Sequence, residues 1–139
     1  MRRLRVLSRQ DRGQALLEFA LILPLLLLLV LGIIEFGRAW NLAQLMSDVA
    51  REGARRAVVA DPSITETQVH DFMDQKLATA GVPIGAAAIT FSKTGGDPAS
   101  GWHSPGQQTV TVVIPYSFMF FSDVFGTIPL TSSFTMRME

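Results

Sequence analysis

The chain contains no cysteine. Disulfides, thiolate metal sites and a cysteine nucleophile are therefore excluded. Any part outside the cytoplasm must be held by packing alone, where many small secreted domains use disulfides. Histidine is scarce, with only His70 and His103. His70 and Asp74 are spaced to share a metal on one helix face, but no second ligand pair has fixed spacing. With Asp71 they are expected to form a solvated face. No nucleophile elbow is present, and Gly95-Gly96 and Gly101 lack the strand-turn-helix setting of a phosphate loop. Charged residues make up 17% of the chain and cancel to zero. The arginines lie beside an apolar block rather than among aromatics, which disfavours nucleic acid as a partner. No enzyme activity, cofactor or metal is expected.

The zero net charge hides a split. Residues 1–13 hold five arginines (Arg2, Arg3, Arg5, Arg9, Arg12) and one aspartate, and the remainder is mildly acidic. Behind Gly13 the sequence turns apolar, and Ala15 to Ile34 carries a single charge, Glu18. About 20 apolar residues at roughly 1.5 Å rise each cross a bilayer. A core helix rarely tolerates Leu25 to Leu31 apolar on all faces. A cleaved secretory signal is the alternative, with Gly37-Arg38-Ala39 as a loose small-x-small site, but the apolar block is longer than such signals use. The leader arginines favour an N-terminus inside and a C-terminal domain outside, in a single-pass arrangement.

The order of parts describes a prepilin: basic leader, Gly13-Gln14 junction, lone carboxylate, spanning helix. Glu18 is the sharpest signal. A carboxylate one turn into a hydrocarbon span costs about 2.5–3.5 kcal/mol on insertion scales. Cleavage after Gly13 would create an ammonium group at Gln14, one helical turn away, able to neutralise Glu18 of the same chain or of a neighbour. The alternative is an acid stabilised by the helix dipole, worth ~0.3–1 kcal/mol. Glu35 and Arg38, three residues apart at the outer membrane edge, are expected to form an interfacial ion pair that ends the span; contact with a partner helix is the alternative.

Three regions follow: a leader over 1–13, a transmembrane segment over 14–38 and an extracytoplasmic α+β domain over 39–139. The first helix should run from 14 to about 59, roughly 70 Å at ~1.5 Å per residue, interrupted by Pro24. Ala39, Ala43, Ser47, Ala50, Ala54 and Ala57 draw a stripe of small side chains down its outer part, suited to close approach of another backbone. Glu52 and Arg56 are spaced to pair. Asp61-Pro62 reads as the N-cap and first position of a second helix, with Ser63-x-x-Glu66 as a competing capping box. Val69, Phe72, Met73, Leu77 and Ala80 give it an apolar face, and Gly81 and Pro83 stop it.

Period-two alternation then predicts strands around Ile89–Phe91, Thr109–Phe118 and Leu130–Glu139. Pro115 suggests an edge or a bulge. A Gly/Pro/Ser-rich loop spans Lys93 to Gln108, with Trp102-His103 either exposed or folded back. Phe118-Met119-Phe120-Phe121 with Val124-Phe125 is expected to be core beneath a turn, with subunit docking as the alternative. The fold class is α+β: a long N-terminal transmembrane helix whose outer half carries one extra helix and a small antiparallel sheet.

These residues resemble the TadE-like minor pilins (pseudopilins) of the Flp/Tad pilus system. Gly13 with Gln14-Ala15-Leu16-Leu17-Glu18-Phe19 looks like the Flp-type prepilin peptidase site. Ile33-Ile34-Glu35-Phe36-Gly37-Arg38 looks like the membrane-exit segment. Ala50-Arg51-Glu52-Gly53-Ala54-Arg55 looks like the family's helical signature, and Thr135-Met136-Arg137-Met138-Glu139 is similar but less specific. The resemblance implies cleavage after Gly13 by a prepilin peptidase and a role for Glu18, beside Phe19, in assembly. It implies other pilins or pseudopilins, an inner-membrane assembly platform and membrane lipid as partners, in a subunit that builds or primes a pilus. Flp major pilins are shorter, which points to a minor subunit of TadE or TadF type. The competing reading is a permanent single-pass anchor displaying a small binding domain.

Overall fold

A computed structural model describes residues 4–59, 63–95 and 106–138; the side chains of residues 4–12 and of Met138 are not among those described. Asp61, Pro62, Trp102, His103, Glu139 and the leader arginine side chains therefore lie outside the described residues. The elements are α1 (Leu4–Ala57), α2 (Glu66–Thr79), β1 (Ala88–Thr94), β2 (Gly106–Ser117), α3 (Ser122–Phe125) and β3 (Thr127–Met138). This is the α+β class expected, with a long N-terminal helix, a second helix and a three-stranded antiparallel sheet. The chain divides into two compact units, Met1–Gly37 and Arg38–Glu139.

In the first unit the helix starts earlier than expected, at Leu4, and continues through Pro24. Proline removes one backbone donor, yet the helical assignment is unbroken there. Leucine after leucine from Leu16 to Leu29 stands 43–81% exposed. None of the apolar window is buried inside the protein, so it is not a core helix of this fold. One N-terminal apolar helix of this length fits a single-pass membrane protein.

The second unit has its own core. Met46, Val49, Ala50 and Ala54 of α1 meet Val69, Met73 and Leu77 of α2 and Ile89, Val110, Val112 and Ile114 of the sheet. Each fully buried Val or Leu contributes about 1.5–3 kcal/mol of transfer free energy. The α2 N-terminus differs from both readings of the sequence. Thr65 is the N-cap, accepting from Gln68 N–H while Gln68 Oε1 accepts from Thr65 N–H. The box is thus Thr65-x-x-Gln68, not Ser63-x-x-Glu66, because the helix begins two residues later than that box would start it. Gly81, at φ +89°, follows the helix as expected.

The sheet order is β1-β2-β3, with Ile89 opposite Val112 and Val110 opposite Phe134. Along β2, Gln108, Val110, Val112, Ile114 and Tyr116 are buried while intervening residues are not. Both hairpin strands extend further than the sequence suggested: Lys93 and Thr94 pair with Gln108 and Gln107, which narrows the loop between them. Pro115 sits in the central strand, in continuous register and with no bulge, opposite Pro129. The β1 ladder ends at the Ala88–Val113 pair, so Pro115 is locally at an edge. Two opposed prolines, neither carrying an N–H, suit a non-hydrogen-bonded pair, whose amides point away from each other.

Candidate functional site

The proposed cleavage junction lies within α1. Gly13 and Gln14 are exposed, and a Cβ on Gly13 would meet nothing within 4 Å. Glycine costs about 1 kcal/mol more than alanine in a helix interior, so Gly13 weakens the helix locally. Glu18 is exposed one turn further on, among exposed apolar side chains. Phe19 beside it is 58% exposed.

At the end of the apolar segment Glu35 is buried, at 3% exposure. Arg38 opens the second unit, and its guanidinium sits over the Tyr116 ring at 5.6 Å from the centroid. The sequence contained no signal for this pairing, because β2 is brought to the helix only by folding. Arg38 and Tyr116 border a groove of about 470 Å³, with Leu42, Val82, Pro83 and Ile114 on its walls.

The helical signature works within the chain. Ala50, Ala54 and Ala57 are fully buried. Gly53 faces α2 so closely that a Cβ there would clash with Met73 Sδ. At this level the small stripe is covered by a side chain of the same chain, Met73 of α2. Ser47 Oγ meets Ser132 Oγ of β3 at 3.1 Å, and the Arg51 guanidinium lies over Phe134 at 5.2 Å. Glu52 pairs with Lys76 of α2 rather than with Arg56 as expected. Arg56 instead stacks on Phe72, 3.3 Å from the ring centroid. Both partners lie on α2, which an i,i+4 reading of α1 alone could not include. Arg55 remains exposed.

The solvated face expected on α2 is only partly so. His70 is half-buried and Asp71 exposed, but Asp74 is 8% exposed, with its Oδ2 3.7 Å from His70 Nδ1 and its Oδ1 without a hydrogen-bond partner. Among the described residues no group of three or more His, Cys, Asp or Glu side chains is placed to hold a metal.

The aromatic segment after β2 departs most from expectation. It is not core: Met119, Phe120, Val124 and Phe125 are 46–73% exposed at the tip of the β2–β3 hairpin. The expected turn is present, and Ser122-Asp123 and Gly126, between two alternating runs, carry its chemistry. Gly126 adopts φ +63°. Strand pairing up to Ser117–Thr127 leaves the intervening residues at a hairpin end, where no second layer covers them.

The model of the TadE-like protein family matches residues 13–55. Over this segment the chain is TadE-like. The match begins at Gly13, runs through Glu18 and the apolar helix, and ends at Arg55, the last residue of the helical signature. The family is associated with the Tad pilus, and the matched segment contains the membrane-spanning type of helix. Comparisons with curated proteins and with solved structures found no match.

Proposed function

We propose that this TadE-like chain is a minor pilin (pseudopilin) of a Flp/Tad pilus, inserted through the cytoplasmic membrane with its N-terminus inside. A prepilin peptidase cleaves it after Gly13, and the new ammonium group at Gln14 neutralises Glu18 of the same chain or of a neighbouring subunit. The apolar helix then packs among other pilin helices above the inner-membrane assembly platform. The role is structural rather than catalytic. The observation that carries the reading is the TadE-like segment itself, which begins at the junction glycine and holds one carboxylate on an otherwise apolar, exposed helix.

An isolated carboxylate in hydrocarbon costs about 2.5–3.5 kcal/mol, and an opposite charge one turn away supplies a reason to retain it. The weak helical position at Gly13 favours local opening of the bond to be cut. Because Ala50, Gly53 and Ala54 are already occupied by the chain's own α2 and sheet, packing between subunits falls to the segment from Ala15 to Ile34.

Mass spectrometry of the membrane form tests processing: the first residue is expected to be Gln14, and Met1 retained in piliated cells would reject the cleavage. For the carboxylate, Glu18→Ala is expected to insert normally while pilus assembly drops sharply. Normal piliation of that variant would refute the charge-pairing step.

A further inference from the structure

The exposed aromatic tip of the β2–β3 hairpin has a definite address in the fold. Tyr116 packs edge-on to Phe118 at 5.3 Å between ring centroids, Phe118 meets Phe125 at 5.5 Å, and Phe125 meets Phe121 at 6.3 Å. The row begins at Arg38, whose guanidinium covers Tyr116. Arg38 is bonded to Gly37, the last residue of the apolar unit. The arginine that covers the head of the aromatic row therefore directly follows, along the chain, the last residue of the apolar unit.

A second loop borders the same place. Val82, Pro83 and Ala86 line the groove beside Arg38 and Tyr116, and Ile84 between them is 73% exposed. Met119, Phe120, Val124 and Phe125 are exposed at the hairpin tip, and Trp40, two residues beyond Arg38, is 59% exposed. Exposed Phe, Met, Val and Ile with an exposed Trp nearby is the composition of a membrane–water boundary, where aromatic rings with a polar end lie at headgroup level. Asp123 is the only charge from Phe118 to Ile128 and is exposed at the tip, which suits the polar side of that boundary. An apolar patch of this kind is seldom left in water.

We propose that the β2–β3 hairpin tip, with Ile84 beside it, enters the outer headgroup–acyl boundary of the bilayer that the apolar helix crosses. The globular unit is then held at the membrane by two contacts: the helix and a shallow aromatic foot pinned by Arg38. Burial of apolar side chains a few ångströms into the interface is the mode used by monotopic amphipathic elements. The occupant is lipid, since Arg38, which covers the head of the aromatic row, is bonded to the last residue of the apolar unit. The inference rests on residues 14–38 spanning a membrane, and its test separates the two.

The absence of native cysteine allows single-site labelling of the full chain. Phe120→Cys and Val124→Cys, carrying an environment-sensitive fluorophore, would be reconstituted into phosphatidylethanolamine/phosphatidylglycerol vesicles. Leu26→Cys reports the span and Glu66→Cys on exposed α2 reports water. Nitroxide-labelled lipid is expected to quench positions 120 and 124 severalfold, more strongly from a shallow acyl position than from a deep one, while aqueous iodide quenches only position 66. If positions 120 and 124 respond to iodide like position 66 while position 26 responds to lipid, the aromatic foot is refuted and the span stands. If position 26 is also insensitive to lipid, the span falls and the foot with it. Protection of 120 and 124 from both quenchers would mean a protein cover, such as a second copy, and would equally overturn the proposal.

Discussion

Asp74 shows how a single residue can contradict its surroundings. It lies on α2 among Val69, Met73 and Leu77, it is nearly buried, and one carboxylate oxygen has no partner. A buried polar atom without a hydrogen bond costs about 1–3 kcal/mol, and the contact to His70 at 3.7 Å is too long for a hydrogen bond. Replacing such a group by an apolar one of similar size is often neutral or stabilising. Asp74→Leu is therefore expected to leave the urea midpoint unchanged or raise it; a loss above ~1 kcal/mol would show that Asp74 has a favourable role in the folded state. The sequence placed Asp74 with Asp71 on a wet face. Only the position of the sheet and of α1 decides which of two acids three residues apart turns inward.

At the scale of elements, the packing of α1 on α2 depends on the missing side chain of Gly53. Gly53→Ala gains about 1 kcal/mol of helix propensity but drives a methyl into Met73, itself fully buried. Overpacking typically costs ~1–3 kcal/mol, so a net loss of about 1 kcal/mol is expected in chemical denaturation. In a Met73→Ala background the same change should be neutral or stabilising, because the clashing sulfur is gone. The cap of α2 gives a second measurement. Thr65→Ala should cost about 1 kcal/mol, whereas Ser63→Ala should cost little, since the reciprocal bonds run between Thr65 and Gln68. These elements were legible to different depths. The alternation of Val110, Val112, Ile114 and Tyr116 announced a half-buried strand, and the buried residues follow that phase. The cap was misplaced because Ser63, Thr65, Glu66 and Gln68 all satisfy the capping pattern, and only the helix start chooses between them.

For the whole molecule, the core from Met46 to Ile114 belongs to the unit that begins at Arg38. A fragment starting at Arg38 is accordingly expected to fold in water without lipid, with one cooperative urea transition followed by both far-UV and near-UV circular dichroism. Non-coincident transitions, or no transition, would show that the apolar helix is required for the fold. Loss of the span should also leave the aromatic tip of the hairpin exposed in solution, so self-association that rises with concentration is expected of the fragment.

The amino-acid sequence alone determined the apolar helix, its lone acid, the junction glycine and the strand phases, because hydropathy and period are properties of neighbours along the chain. Even the TadE-like segment is contiguous, from Gly13 to Arg55. Partners across the fold were decided by tertiary structure: Glu52 with Lys76, Arg56 on Phe72, Arg38 on Tyr116 and Gly53 under Met73. Each joins residues 16 or more positions apart, where neither residue marks the other until helix and sheet pack. The same holds for the aromatic run after β2, whose composition suggests core but whose place at a hairpin end leaves it uncovered.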